Sequence, residues 1–343
     1  MPMPKPLTDL LQATSRSFYL TLRVLPARVR PQIGLAYLLA RTTDTIADTE
    51  IVPAAQRLEA LQQLREQILG QPSAPLNFGE LAQSQNLAAE KLLLEKTEDS
   101  LALLPTLSPA DLKRVREVLT VIISGQELDL RRFAHSANAH IVALETAAEL
   151  DDYTFRVAGC VGAFWTKICR AHLFPDKRLD EQQFLADGIR FGKGLQLVNI
   201  LRDLPADLKN GRCYLPREKL AAAGLVPETL LSPVNENKFR PLFHEYLDRA
   251  EAHLTAGWRY TNTLPFGQFR VRLACAWPVL IGRRTLEKLR AAGAGELQQR
   301  VKVSRREVRR IIFRSLVCSP LAPAWRGLYS PAGKAVDSGG ELS

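Results

Sequence analysis

Apolar residues return every three or four positions along most of this chain and almost nowhere alternate with polar ones, which commits it to helices rather than sheet. Leu58, Leu61, Leu64 and Ile68 follow Pro53 at helical intervals until Gly70 closes the run. Leu112, Val115, Val118, Leu119 and Ile122 repeat the pattern, and so do Leu242, Phe243, Tyr246, Leu247, Ala250 and Leu254. Clusters rich in proline and glycine at 70–75, 104–109, 173–177 and 224–227 mark loops between the helices. The expectation is an all-α, single-domain helical bundle over residues 1–318 with its site in a central cavity, and a poorly ordered tail over 319–343. With 46% hydrophobic and 24% charged residues, the 343-residue chain can bury a core large enough for one unit of that size.

Two aspartate pairs share one internal spacing: Asp44 and Asp48 in Arg-Thr-Thr-Asp-Thr-Ile-Ala-Asp (41–48), and Asp203 and Asp207 in Asn-Ile-Leu-Arg-Asp-Leu-Pro-Ala-Asp (199–207). On a helix this i,i+4 spacing puts both carboxylates of a pair on one face, about 6 Å apart at Cβ. Taken alone, such a pair suits a solvated face. Both pairs, however, emerge from apolar runs at 34–40 and 194–201, where a carboxylate needs a partner or a metal. Four acids converging from two helices form a cage for Mg²⁺, which takes one or two carboxylates and completes its shell with phosphate oxygens. Arg41 and Arg202 adjoin the pairs. Carboxylate, metal and guanidinium together suit a diphosphate.

The net charge of +10 leaves an anionic bilayer, nucleic acid and a polyphosphate substrate all open as partners. Much of it lies in a C-terminal basic run of Arg300, Lys302, Arg305, Arg306, Arg309, Arg310 and Arg314, to which Ile311, Ile312 and Leu316 add an apolar side. The five cysteines form no CxxC, so neither a zinc site nor a disulfide framework is expected, which suits a reducing cytosol. The first residues lack an apolar signal region, and no apolar run reaches the length of a membrane span. A cytoplasmic protein follows, with peripheral contact at the inner membrane face left open and no obligatory protein partner. Gly-Lys-Gly at 192–194 lacks the strand and the further glycines of a dinucleotide loop.

Four segments in order resemble the squalene/phytoene synthase family of head-to-head prenyl transferases: Ser-Arg-Ser-Phe (15–18), the stretch from Tyr37 to Asp48, Tyr-Thr-Phe-Arg-Val-Ala-Gly-Cys-Val-Gly (153–162), and the stretch from Gln196 to Pro216. The resemblance implies a bundle of the isoprenoid synthase type. It implies that Asp44, Asp48, Asp203 and Asp207 hold Mg²⁺ on the diphosphate of a prenyl substrate such as farnesyl diphosphate; Asn199, one turn before Asp203 on the same face, is placed either to complete the metal shell or to orient an acid. Arg41, Arg202 and Arg212 match family positions that contact phosphate, and Ser15, Ser17 and Phe18 match the mouth of the donor site. Tyr153 matches a tyrosine credited with proton handling, and Tyr37 lies two turns before Asp44 on the same face. Gly159 and Gly162 are read either as close helix packing or as a smooth wall for the prenyl chain.

Within the family, Asp-Thr-Ile-Ala-Asp and the segment 301–305 look most like squalene synthase, in which Lys302 and Arg305 would help hold NADPH. The expected activity is therefore condensation of two farnesyl diphosphates through presqualene diphosphate, followed by reduction to squalene. The alternatives are phytoene or dehydrosqualene synthesis without reductant, arrest at presqualene diphosphate, and a non-catalytic assembly factor of the same fold. A nucleic-acid-binding protein is excluded as the main reading, since only the charge motivates it. Two departures stand out: Ala47 occupies a position where squalene-type relatives often carry an acid, and Pro205 is expected to kink the helix between Asp203 and Asp207.

Overall fold

The computed structural model describes residues 4–15, 18–72, 74–134, 140–298 and 301–329. Helices α1 (Lys5–Ser15), α2 (Phe18–Val24), α3 (Arg30–Asp48) and α4 (Ala54–Leu69) open the chain. Three short helices, α5 (Gly79–Gln83), α6 (Ala88–Glu95) and α7 (Thr97–Leu101), lead into α8 (Pro109–Arg132). After α9 (Ala147–Thr154) come a π-helical turn at Phe155–Gly159, α10 (Cys160–Leu173) and α11 (Glu181–Lys209). The rest is α12 (Arg217–Ala222), α13 (Glu236–Thr263), α14 (Phe269–Ala291), α15 (Ala294–Leu297), α16 (Arg305–Cys318) and α17 (Ala322–Arg326). The all-α expectation is borne out. Among the described residues, the strands amount to β1 (Val142–Ala143) paired in parallel with β2 (Arg212–Cys213).

Local chemistry sets the helix ends. Ser108 caps α8 by accepting a hydrogen bond from the Asp111 amide at 3.2 Å, with Pro109 in the first turn, where a missing N–H costs nothing. Pro53 stands just ahead of α4, and Gly70 ends that helix in the left-handed region at φ 73°. The periodic leucines do what their spacing predicts: Leu61, Leu64 and Ile68 of α4, and Leu242, Phe243, Tyr246, Leu247, Ala250 and Leu254 of α13, are all buried.

Helix α11 is the spine, packed on α13, α10, α14 and the π-helical turn. Its backbone touches that of its neighbours. A Cβ placed on Gly162 of α10 would lie 1.9 Å from the Gly188 carbonyl oxygen, and one on Gly192 would lie 2.1 Å from that of Ala158. Packing therefore accounts for Gly162. Gly159 is also crowded, within 3.1–3.3 Å of Phe155, Lys193 and Ile189. On the other side α3 packs on α8 and α4, and α8 on α10 and the π-helical turn. These contacts make α3, α8, α9 and α11 frame one region of the bundle.

Helix α11 continues through Pro205 to Lys209, so Asp203 and Asp207 lie on one helix. Past residue 318 the chain does not leave the body at once, as the sequence pattern predicts. Trp325 is buried, donates to Asn262 Oδ1 at 3.0 Å and stacks on Trp258, while Tyr329 stacks on the same indole. Aromatic burial outweighs the proline-rich composition there. Residues 330–343 of the expected tail lie outside the described residues. No helix among the described residues is long and apolar enough to cross a membrane.

Candidate active site

The region framed by α3, α8, α9 and α11 gathers both aspartate pairs. On α3, Asp44 accepts from Gln126 Nε2 of α8 at 2.5 Å and lies 3.9 Å from Arg41. Arg41 is itself held by Glu90 of α6 at 2.6 Å. On α11, Arg202 folds back to make two hydrogen bonds to the Asp203 carboxylate. Between the pairs sits Arg212, whose backbone is fixed by the β1–β2 bridge just after the left-handed turn at Gly211. Its guanidinium bonds Glu50 at 2.9 Å, lies 4.0 Å from Asp129 of α8 and sits over the Phe133 ring. Its charge reaches both Asp48 and Asp207.

The carboxylates are crowded. Burial first, and then the charge of Asp48, push the Asp44 pKa up to about 7. Burial followed by the charge of Asp203 does the same to Asp207, also to about 7. Burial raises Asp129 to about 6 against the opposing pull of Arg212 and Tyr214, and it raises Asp48 as well. Asp44 nevertheless keeps 48% of its side-chain surface accessible. Part of this carboxylate is therefore open to water, so that its charge is poorly compensated but reachable.

Tyr153, at the end of α9, is buried, and its ring stacks on Tyr214 at 4.8 Å between centroids. The two phenols share a hydrogen bond, and Tyr214 donates to both oxygens of Asp129 at 3.1 Å. Burial and the neighbouring charge of Asp129 hold the Tyr153 pKa well above the ordinary phenol value, so it stays protonated. The π-helical turn begins two residues later; such turns insert an extra residue that re-aims the helix and recur at functional sites.

Other expected positions fall outside this cluster. Ser15 is buried and spends its hydroxyl on the Leu11 carbonyl of its own helix. Ser17 and the side chain of Phe18 lie outside the described residues. Tyr37 is half-buried on α3 and couples electrostatically to Arg41. Asn199 is exposed on α11, with its amide 3.5 Å from Gln196. Lys302 and Arg305 are exposed at the start of α16, whose main packing partners are α14 and α17, and Lys288 bonds the Lys302 carbonyl at 3.2 Å.

Sequence reasoning overlooks Glu90, Gln126, Asp129 and Tyr214. Gln126 and Asp129 carried a signal: they are polar residues three apart on a helix whose Ile122, Ile123 and Leu130 are core. Tyr214 stands inside the 196–216 segment already singled out. Glu90 has no such mark, because only the packing of α6 on α3 brings it to Arg41.

Among the described residues, no three Asp, Glu, His or Cys side chains close on one point as a ready-made metal cage. The donor set is oxygen only, arranged as two pairs with repelling charges. That fits Mg²⁺ ions that take one or two protein carboxylates each and bring the remaining ligands from water and substrate.

The structure is thus an all-α bundle in which two acid pairs and the guanidinium groups of Arg41, Arg202 and Arg212 gather in one region. The chain belongs to the squalene/phytoene synthase family, whose model matches residues 11–307. Members of this family are prenyltransferases that condense prenyl diphosphates, typically with a divalent metal. The chain is similar to a presqualene diphosphate synthase of Sinorhizobium fredii, at 28% identity over 307 residues covering 88% of this chain and 93% of the relative. It is also similar to a 15-cis-phytoene synthase of Synechocystis sp., at 29% identity over 247 residues, 69% of this chain and 62% of that protein's length. In fold it is similar to the solved complex of TcSQS with the ligand E5700, with TM-score 0.74 and 22% identity over 91% of this chain and 85% of that one.

Proposed function

We propose that this protein condenses two farnesyl diphosphates head to head and releases presqualene diphosphate, with Mg²⁺ and without a reductant. One observation carries the reading: the Arg212 guanidinium acts on both Asp48 of α3 and Asp207 of α11, which brings the two aspartate pairs to one cation. Presqualene diphosphate is preferred as product because the similarity to the Sinorhizobium fredii enzyme spans nearly the full length of both chains. Squalene, formed by a further NADPH-dependent step, is the second reading, and the basic segment with Lys302 and Arg305 is what favours it. Their exposed positions, just before and at the first residue of α16, weaken that support.

The two aspartate pairs, with Asn199 beside Asp203, are the residues that would hold Mg²⁺. The metal would neutralise charge on the diphosphate oxygens as the allylic C–O bond breaks. Arg41, Arg202 and Arg212 add fixed positive charge to the departing diphosphate. Glu90 and Gln126 hold Arg41 and Asp44 in place. Tyr153 keeps its proton and can exchange it through Tyr214 with Asp129, a route for the proton lost from the acceptor chain as the cyclopropane closes. Tyr37 is placed beside Arg41 on the same face of α3 and helps orient it. Ser15, Ser17 and Phe18 retain a proposed place at the donor entrance through their family positions, and Gly159 a place in the wall, while Gly162 serves the packing of α10 on α11. A diphosphate bearing two long prenyl chains is amphiphilic and partitions to a membrane surface, so we place the reaction in the cytoplasm beside the membrane.

The test is product identification by mass after incubating purified protein with Mg²⁺ and either farnesyl or geranylgeranyl diphosphate, with and without NADPH. Presqualene diphosphate from the shorter substrate, unchanged by NADPH, is expected. Squalene appearing only with NADPH would establish the second reading, and phytoene from the longer substrate would overturn both.

A further inference from the structure

We infer that the outer face of α16 is a docking surface for an anionic lipid bilayer. Residues 301–329 carry seven basic side chains, Lys302, Arg305, Arg306, Arg309, Arg310, Arg314 and Arg326, against the single acid Glu307, a net +6 within the chain's +10. That acid is turned inward, where it bonds Arg284 at 3.0 Å and Lys288 at 2.8 Å. The charged side chains on the solvent side of α16 are therefore basic.

Large apolar side chains sit on that same side. Phe313 is 67% exposed, Val317 56%, Leu316 48% and Leu321, just beyond the helix, 60%. At 100° per residue, Phe313, Leu316 and Val317 share the half-circle occupied by Arg306, Arg309 and Arg310, opposite the buried Ser315. Along the axis, Arg305, Arg306, Arg309 and Arg310 fall in the first two turns, and the large exposed apolar groups fall in the last two together with Arg314. A helix of this kind lies obliquely in an interface, its apolar end among acyl chains and its arginines among headgroups. Arg310 and Arg314 also line a cavity of about 490 Å³ in which Glu287 and Glu307 are paired with Arg283 and Arg284 of α14.

A lipid surface suits this face better than the other occupants. An RNA groove would not call for exposed Phe313, Leu316 and Leu321. A second copy of the chain would set this concentrated positive charge against itself. The chain's own last residues, 330–343, offer Val336 and Leu342 as their only large apolar groups, too few to cover the patch. The inference does not depend on which prenyl product is made.

The test is co-sedimentation of the full chain with vesicles of phosphatidylcholine, with and without phosphatidylglycerol, paired with hydrogen exchange of α16. Binding to the anionic vesicles only, weakening with salt, and new protection at 313–317 are expected. Phe313→Ser with Leu316→Ser should weaken binding at least about 10-fold, and Arg306→Glu with Arg309→Glu at least as much. Both double variants should melt like the wild type and turn over detergent-dispersed substrate at its rate. No sedimentation, binding indifferent to the Phe313 and Leu316 changes, or protection at 313–317 already present without lipid, as a dimer or the tail would give, would each overturn the inference.

Discussion

Replacing Asp44 by Asn should stabilise the metal-free protein while removing its activity. Burial and the charge of Asp48 lift the Asp44 pKa from 3.8 to about 7. At about 1.4 kcal/mol per pH unit, holding the ionised form in place would cost roughly 4 kcal/mol. The side chain keeps 48% of its surface, so water screens it, and the gain on neutralisation is ~1–2 kcal/mol. With an unfolding entropy of about 2.1 cal/mol/K per residue over 343 residues, this corresponds to a rise in Tm of about 1.5–3 °C. The sign follows from proton binding. Folded protein holds this proton more tightly than unfolded chain, so the penalty is absent below the unfolded value of 3.8, grows with pH, and is complete above about 7. Melting curves of wild type and Asp44→Asn in EDTA, between about pH 4 and about pH 8, should therefore diverge as pH rises. The amide oxygen still accepts from Gln126, so the fold loses no contact there. A variant that melts below wild type at the alkaline end, or differs by a margin independent of pH, would refute the picture of a carboxylate short of cations.

Three further substitutions probe the rest of the site. Glu90→Gln weakens the 2.6 Å contact that positions Arg41, and kcat/KM should fall about 5- to 10-fold, with the loss mainly in KM; unchanged kinetics would remove Glu90 from the site. Tyr153→Phe keeps the ring on Tyr214 but deletes the hydroxyl, so kcat should drop about 100-fold with Tm nearly unchanged. Equal losses of stability and rate would mean that the hydroxyl serves packing alone. Gly162→Ala forces a Cβ to within 1.9 Å of the Gly188 carbonyl, and thermal melts should show destabilisation of about 3 kcal/mol or more; a neutral result would contradict the α10–α11 contact.

The helices were legible because burial and spacing agree: the leucines of α4 and the apolar set of α13 point inward as their periodicity requires. The aspartate pairs were legible for a related reason, since carboxylates attached to apolar helical runs demand compensation. What the chain hides locally is what folding brings together from afar. Glu90 reaches Arg41 across 49 positions and Gln126 reaches Asp44 across 82, and no local spacing encodes such a meeting. Pro205 is accommodated inside α11, where it is buried while the helix continues to Lys209. The tail is less legible, because Trp325 and Tyr329 gain more from stacking on Trp258 than the proline-rich composition implies.

The most direct test of the central claim is the stoichiometry of diphosphate release from farnesyl diphosphate in the presence of Mg²⁺. Formation of presqualene diphosphate breaks one C–O bond for each pair of substrates, so one diphosphate per two farnesyl diphosphates consumed is expected, and none from Asp44→Asn or Asp203→Asn. Release of two per pair, or continued release by either variant, would contradict the account.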